Sequence, residues 1–508
     1  MIKRTFLGAV VAALSLLGVA QHAEAQKSAD NLRIVFRDAL TNIDPYYNQL
    51  RVGIVLHHMA WDGLVYRDPA TFKVVPLLAT EWKQVDPLTL DFTLRQGVKF
   101  HDGSSFTADD AVYTINLVSS PDSKVSTPSN YSWIDHAEKT GDYSIRVKFK
   151  KPTPAALDSF ALVMPIYPKA YREKVGAEAY AKAPIGAGPY KVTSVEPGVS
   201  ATFERFDDYW AGSPKGKPAI KNISVRYVPD AATEMTELLA QRADWIWQFN
   251  PDQAAGVNRM PNLQTVFKES MRIGFLSIDA AGRSGADNPL TKQKVRQAIW
   301  YAIDRQTIAD KLVTNGSRVP PAPCYPSQFG CDGDAAVKYN YDPAKAKALL
   351  AEAGYPNGFD IDFVSYMLPA WEAAVQNYLQ AVGIKANLQH MQVQAAIERI
   401  NKGQAPLNFG SWGSYSINDV SAIMPNYFTF GDADYARDPE VKRLLDEGGA
   451  TNDAEKRHQA YAEAIKRMTE QAYWLPMFTY TTSYAYTKSL EFTPYSDELP
   501  RFYLCKWK

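Results

Sequence analysis

Residues 409–425, with the sequence FGSWGSYSINDVSAIMP, combine side chains that could hold a small molecule. They place the ring of Trp412 beside the hydroxyls of Ser414 and Tyr415, and a carboxylate follows at Asp419. Ligand pockets combine apolar walls with a few placed polar groups, and the glycines here leave backbone accessible beside the rings. We therefore predict ligand contacts from these four residues. The alternative is a glycine-rich loop packed into the protein interior.

Motifs typical of hydrolases and metal sites are absent from the sequence. It contains neither Gly-x-Ser-x-Gly nor His-Glu-x-x-His, and its seven histidines are scattered. His57 and His58 are adjacent, so on a helix they would point about 100° apart and could not hold one ion together. The Gly-x-Gly run at 186–188 leads into a strand pattern, which offers no helix N-terminus for a phosphate. We predict no catalysis, cofactor or metal; a secreted hydrolase whose site forms only in three dimensions is the alternative.

The segments that would position a ligand site alternate between strand and helix patterns. Apolar and polar residues alternate at 88–94, as in a half-buried strand, and Asp102-Gly103 supplies a turn. Thr107 is typical of an N-cap, because acidic residues follow it in the next turn. Another strand pattern, at Leu407–Trp412, leads directly into the candidate ligand segment. The chain as a whole is therefore predicted to be an α/β protein.

The first 25 residues have the three parts of a secretory signal peptide. Lys3 and Arg4 precede an apolar run at 6–20, and a small-x-small cleavage site follows at 23–25. The apolar run is shorter than the ~20 residues that a membrane-spanning helix needs. Because no cysteine near the cleavage site could accept a lipid, we predict an exported protein without a lipid anchor.

Composition limits the partners and the number of cores. Lys+Arg and Asp+Glu are balanced at 55 each, which argues against nucleic acid as a partner. About 480 residues after the predicted signal exceed what one core usually supports, so two or more lobes are expected. Cys324 and Cys331 flank a loop that contains Pro and Gly, and we expect a disulfide between them. Cys505 should then be a free, partly buried thiol.

Several segments resemble those of one known protein family. Their sequences are LRQGVKFHDGSSFTADDAVY at 94–113, PIGAGPY at 184–190, FDDYW at 206–210 and DPAKAKALLAEAGYP at 342–356. They are similar to the extracellular solute-binding proteins of the dipeptide, oligopeptide and nickel type, which deliver ligands to ABC importers. The resemblance extends over essentially the whole chain after residue 25.

The resemblance implies a two-lobed α/β periplasmic binding protein of the type II, large three-subdomain form, with a ligand cleft between the lobes. The expected parts are a signal peptide at 1–25, lobe I at 26–270 with an inserted subdomain at about 67–184, lobe II at 271–480, and a return to lobe I at 481–508. Strands near 271–278 and 478–482 would cross between the lobes. The FDDYW segment would lie in a strand pair.

The resemblance also implies a function. The chain would be the periplasmic substrate-binding subunit of an ABC importer, a monomer that captures a solute by hinge closure and delivers it to the permease and ATPase subunits of the inner membrane. Tyr46 and Tyr47 would face the ligand from the wall opposite the 409–425 segment.

Two positions depart from the peptide-binding members of this family. An acidic residue commonly lies three positions after the matching Trp and pairs with the ligand ammonium; here that position is Tyr415, and Asp419 lies four residues further on. Dipeptide binders also use an Arg for the ligand carboxylate in the loop that corresponds to 365–371, which contains no Arg or Lys here. We expect a peptide or peptide-like solute, with Asp419 and a distant Arg taking these roles. The alternative is a non-peptide solute such as an opine, a sugar derivative or a metal chelate.

Overall fold

The computed structural model describes residues 30–48, 50–285 and 287–508. The predicted signal peptide lies outside these residues. None of the helices in the described ranges is both long and apolar enough to cross a membrane.

The strands follow the chain in this order: β1 (Asn31–Phe36), β2 (Val65–Arg67), β3 (Val74–Pro76), β4 (Ala79–Asp86), β5 (Thr89–Leu94), β6 (Ile134–Gly141), β7 (Ser144–Phe149), β8 (Tyr190–Glu196), β9 (Ser200–Arg205), β10 (Asn222–Tyr227), β11 (Trp245–Trp247), β12 (Leu263–Ile278), β13 (Phe359–Ser365), β14 (Ile384–His390), β15 (Leu407–Trp412), β16 (Trp474–Thr487), β17 (Leu490–Glu491) and β18 (Lys506–Trp507).

The helices are α1 (Arg51–Ala60), α2 (Ala108–Ser119), α3 (Ala156–Leu162), α4 (Lys169–Lys182), α5 (Ala231–Leu239), α6 (Ala254–Asn258), α7 (Gln293–Ala302), α8 (Arg305–Ile308), α9 (Pro343–Glu352), α10 (Pro369–Ala381), α11 (Val393–Asn401), α12 (Met424–Phe428), α13 (Pro439–Gly449) and α14 (Ala454–Glu470). Helix α4 is kinked at Gly176, which has a positive φ of 75°. A π-helical turn, Ala309–Val313, follows α8.

One mixed sheet of ten strands runs through the molecule in the order β14-β13-β15-β12-β16-β11-β1-β10-β9-β8. Strands β12 and β16 are its longest and pair antiparallel, with Leu263 opposite Thr487 at one end and Ser277 opposite Trp474 at the other. Their register shifts between Glu269 and Ile273, so a bulge interrupts the pairing near the middle. These are the two crossing strands that the sequence predicted near 271–278 and 478–482.

Separate hydrophobic cores lie on either side of this bulge. The largest core extends from Leu32 to Trp247 and is completed by C-terminal residues such as Phe502. Two further cores are built mainly from residues between Met271 and Phe478. We call the first part lobe I and the second lobe II. The two-lobed α/β fold is thus confirmed, whereas the residue boundaries expected from the sequence stay a prediction.

A smaller four-stranded sheet, β4-β5-β7-β6, packs with α2 as an appendage of lobe I. Thr107 is the N-cap of α2, as predicted. Its backbone N–H and its hydroxyl both donate to the carboxylate of Asp110, at 2.9 and 3.2 Å. This carboxylate also stabilises the positive end of the helix dipole.

The FDDYW segment was wrongly expected in a strand pair. Strand β9 ends at Arg205, and the segment turns away from the sheet. The hydroxyl of Tyr209 donates to the buried carboxylate of Asp62 at 2.9 Å, and Lys215 pairs with the same carboxylate at 2.7 Å. Because Tyr209 must reach this buried carboxylate, the segment leaves the direction of the strand.

The structure contains the expected disulfide between Cys324 and Cys331, with an S–S distance of 2.03 Å. Cys505 is a free thiol, and at 2% exposure it is more completely buried than expected. Burial raises the pKa of this thiol above its ordinary value.

Candidate functional site

Strand β15 carries the candidate ligand segment to the junction of the lobes. It lies between β12 on one side and β13 on the other, with Leu407 and Phe409 fully buried. At its end, Ser411 and Trp412 lie opposite Gly274 and Ile273 of β12, next to the bulge. The strand predicted at Leu407–Trp412 is therefore present with the same bounds and ends where the two lobes meet.

The chain after β15 forms a strained turn. Gly413 precedes a 3-10 turn, Ser414–Ser416, in which Ser414 and Ser416 have positive φ angles of 51° and 65°. A positive φ is costly for residues other than glycine, so surrounding contacts must hold this conformation. Ser414 is fully buried, and its hydroxyl has no hydrogen-bond partner among the residues that the structure describes.

Ser416 connects this turn of lobe II to lobe I. The guanidinium of Arg51, at the start of α1, donates to Ser416 Oγ at 2.5 Å. Ser416 Oγ in turn donates to the backbone carbonyl of Asp497 at 2.5 Å. One hydroxyl thus links an arginine and a C-terminal carbonyl, both of lobe I, across the junction.

Two arginines share one carboxylate beside the same turn. Glu498 lies 3.3 Å from Arg272 Nη2 and 3.6 Å from Arg51 Nη2. Burial alone would raise the pKa of Glu498, but the two guanidinium groups outweigh it and hold this pKa below its ordinary value. The carboxylate raises the pKa of Arg272 in return. Arg272 also donates to Ser411 Oγ, at 3.4 Å.

Tyr366 shapes the other side of β15. Its hydroxyl accepts the N–H of Ser411 at 2.9 Å and donates to the Ser411 carbonyl at 3.2 Å. A Cβ atom on Gly410 would lie 2.8 Å from that hydroxyl, so only glycine allows this close approach. The polar end of β15 is therefore held in place from lobe II.

The residues predicted in the 409–425 segment occupy different environments. Trp412 is partly buried and packs edge-to-face against Tyr427, with ring centroids 5.9 Å apart. Only the backbone of Tyr415 is described, so the prediction for its side chain lies outside the described part of the chain. Asp419 is 5% exposed, and both of its carboxylate oxygens accept from Arg457, at 2.9 and 2.7 Å. Its charge is already compensated within lobe II, which argues against a role as the ligand's ammonium partner.

The two tyrosines predicted on the opposite wall lie within lobe I. Tyr46 is 1% exposed, donates to the Pro165 carbonyl at 2.5 Å, and belongs to the hydrophobic core. Tyr47 is half-buried and packs against the same core, and burial raises the pKa of its hydroxyl. Tyr46 is therefore a packing residue in this structure.

Arg51, Arg272 and Glu498 were not identified from the sequence. Arg272 lies inside the predicted crossing strand at 271–278, where a charged side chain was the one available signal. Glu498 and Arg51 carried no such signal, because they lie near opposite ends of the chain and no local motif marks either one.

 Folding alone brings these three side chains together, which is why sequence patterns could not reveal them.

Comparisons with known proteins agree with this architecture. The chain matches the family model described as bacterial extracellular solute-binding proteins, family 5 Middle, over residues 73–435. Similar proteins include the glutathione-binding protein GsiB of Pectobacterium atrosepticum, 28% identical over 488 residues with 91% of each chain covered. Heme-binding protein A of Haemophilus influenzae is 26% identical over 454 residues, covering 82% of this chain and 81% of that protein.

Solved structures give the same result. AgaA from A.tumefacien R10, in complex with agropinic acid, is 25% identical and has a TM-score of 0.75, covering 94% of this chain and 99% of that chain. HbpA2 from Haemophilus parasuis has a TM-score of 0.80 at 23% identity, covering 94% of this chain and 100% of that chain, and supports the fold. Because the family model covers more than half of its length, the chain belongs to the bacterial extracellular solute-binding proteins, family 5.

Proposed function

We propose that the chain captures a peptide or peptide-like solute in the cleft between its lobes and delivers it to a membrane permease and its ATPase. Family membership makes it a substrate-binding component of an ABC importer and not an enzyme. Proteins of this family are periplasmic, and we propose that residues 1–25 direct export and are then removed. We also propose that the protein acts as a monomer with the lobe boundaries expected from its sequence.

The observation that carries this proposal is the bulged pair of crossing strands between separate cores. Strands β12 and β16 join the lobes, and their register shifts between Glu269 and Ile273. Because each lobe has its own core, the lobes can rotate about this junction while their interiors stay packed. A solute stabilises the closed form only by the difference between its affinities for the closed and open forms.

The peptide assignment is supported by the GsiB relatives, which are named for glutathione, a tripeptide. The alternative, an opine, is supported by the likeness to AgaA, whose structure contains agropinic acid. Peptides and agropinic acid both carry an acid group, so family membership alone does not choose between them.

The test is a ligand screen on the mature protein, residues 26–508. Glutathione, trialanine and agropinic acid are added separately, and the melting temperature and the radius of gyration are measured. We expect a peptide to raise the melting temperature, since a ligand at about 100 times its Kd stabilises the folded state by about 2.7 kcal/mol. The radius of gyration should decrease on closure. A response to agropinic acid with none to either peptide would contradict the peptide assignment.

A further inference from the structure

The charges at the lobe junction do not balance. Arg51 and Arg272 both approach Glu498, which is 5% exposed, and among the described residues no other carboxylate forms an ion pair with either arginine. The neighbouring carboxylate of Asp497 is already held by both guanidinium nitrogens of Arg501, at 2.7 and 2.6 Å. Asp497 also accepts from Arg67, at 3.2 Å. Arg67 also pairs with Asp158, at 3.3 Å, so these four arginines face three carboxylates. The described residues at this junction therefore carry an excess positive charge, which a buried site tolerates poorly.

The contacts that Arg51 and Arg272 make with Glu498 are also long. They measure 3.3 to 3.6 Å, whereas the structural pair between Arg457 and Asp419 closes to 2.7 Å. Charge-assisted hydrogen bonds between a guanidinium and a carboxylate are normally about 2.7–2.9 Å. Glu498 therefore satisfies the Nη2 donors of both arginines only weakly.

The Nη2 atoms of both arginines lie against the backbone of Gly413, which has no side chain. A Cβ atom placed on Gly413 would lie 3.1 Å from Arg272 Nη2 and 3.4 Å from Arg51 Nη2. The side chain of Arg272 keeps 30% of its surface exposed, although Glu498 beside it keeps only 7%. Part of the Arg272 side chain is therefore accessible to a solute.

We propose that Arg51 and Arg272 bind a carboxylate of the transported solute beside Gly413. This inference rests on the proposed function and specifies the chemistry of the solute. A planar guanidinium matches a carboxylate through paired N–H donors, so the two arginines can hold one acid group from two directions. Arg51 belongs to lobe I, Arg272 to a crossing strand and Gly413 to lobe II, so the bound carboxylate also joins the lobes.

Among the described residues beside this turn, neither Asp419 nor Glu498 is available to a ligand ammonium. Asp419 is paired with Arg457, and Glu498 lies between two arginines. Neither carboxylate can receive a ligand ammonium without losing its present partner. The solute is therefore selected by its acid group and not by a free amine.

The first experiment compares blocked peptides by isothermal titration calorimetry. N-acetyl-trialanine has a carboxylate and no ammonium, whereas trialanine amide has an ammonium and no carboxylate. Wild-type protein should bind the acetylated peptide at least about tenfold more tightly than the amide, which corresponds to about 1.4 kcal/mol. Equal binding, or tighter binding of the amide, would overturn the inference while leaving the peptide function intact.

The second experiment assigns the effect to its residues. R272Q should weaken binding of N-acetyl-trialanine about tenfold and abolish the preference over the amide, about 1.4 kcal/mol. R443Q removes the same charge from an exposed arginine on α13 and should leave binding unchanged. The melting temperatures of both variants show whether each one is folded. An unchanged preference in folded R272Q would overturn the inference.

Agropinic acid separates this inference from the proposed function. If it binds while the peptides do not, and R272Q weakens that binding, the carboxylate site stands and the peptide assignment fails. If none of the carboxylate-bearing probes binds, both are overturned.

Discussion

Arg457 donates to both carboxylate oxygens of Asp419 through Nη2, at 2.9 and 2.7 Å, inside lobe II. Both side chains are almost completely buried, at 7% and 6% exposure. Asp419, which was predicted from the sequence to pair with a ligand ammonium, is thus part of the internal structure of the lobe. Replacement of Asp419 should lower the stability of the protein. It should weaken ligand binding only as a consequence of that lower stability.

We expect D419A to lower the free energy of unfolding by about 3–5 kcal/mol, because removal of one partner leaves Arg457 buried without its counterion. Urea denaturation of the solute-free protein measures this change. The matched control is D446A, which removes an exposed carboxylate from the pair with Lys442 on α13 and should change stability by less than about 1 kcal/mol. A D419A protein of normal stability that binds peptide more weakly would restore Asp419 as a ligand residue.

The hydroxyl of Ser416 should favour the closed form, because it receives a hydrogen bond from Arg51 of lobe I. S416G removes the hydroxyl and suits the positive φ of 65° at this position. Hydrogen bonds to charged groups contribute about 1.5–3 kcal/mol, so we expect the ratio of the closed to the open form to fall by at least about tenfold. Distances between spin labels on the two lobes measure this population.

The control for S416G is N315G, at an exposed residue of lobe II that also has a positive φ, 53°. It introduces glycine at a similar backbone conformation without touching the lobe junction. Equal closure in wild type and S416G would show that the contact between Arg51 and Ser416 contributes nothing to closing.

Local patterns predicted the elements of this fold well. Alternation of apolar residues at 88–94 predicted the strand Thr89–Leu94, and capping chemistry located the start of α2 at Thr107. Each of these signals is contained within about ten consecutive residues and reflects backbone geometry directly. The crossing strand near 271–278 was anticipated from the family resemblance and not from its own residue pattern.

The candidate site was only partly predictable, because local patterns reveal only residues that lie close together in the sequence. Trp412 and Ser414 were predicted because a ring and a hydroxyl lie together at the end of a strand, and the structure places both beside the junction; their contact with a ligand stays a prediction. Arg51, Arg272 and Glu498 come from three distant parts of the chain, so no local pattern relates them. Tyr46 could not be distinguished from a ligand residue by its type, since an aromatic hydroxyl also suits a core position with a carbonyl partner.

Stability should depend on the ionisation of Glu498. Its pKa is held below the ordinary value of 4.5, so the ionised form stabilises the folded state. This contribution is fully present above the unfolded-state pKa and is lost as the pH falls through the lower folded-state pKa. We expect the free energy of unfolding to decrease as the pH falls below about 4.5, and E498Q to show a shallower decrease.

Urea denaturation at a series of pH values from neutral to acidic measures this slope. The control is E455Q, at an exposed position of α14, which should keep the wild-type slope. Parallel curves for wild type and E498Q would mean that the two arginines do not stabilise the ionised carboxylate.

The disulfide between Cys324 and Cys331 should stabilise the segment that leads from the candidate site into lobe II. The enclosed residue Phe329 exchanges backbone hydrogen bonds with this segment, donating to Asn418 at 3.0 Å and accepting from Val420 at 3.1 Å. In the chain-entropy model, a loop this short contributes roughly 2–3 kcal/mol by restricting the unfolded state. We expect the double variant C324S/C331S to lose about this amount of unfolding free energy in urea denaturation.

Wild type measured under reducing conditions should lose a similar amount. C505S should match oxidised wild type, because Cys505 has no disulfide partner. Because Phe329 borders Asp419, hydrogen exchange of the 418–420 backbone should also rise in the double variant; unchanged exchange there would confine the effect of the disulfide to the unfolded state.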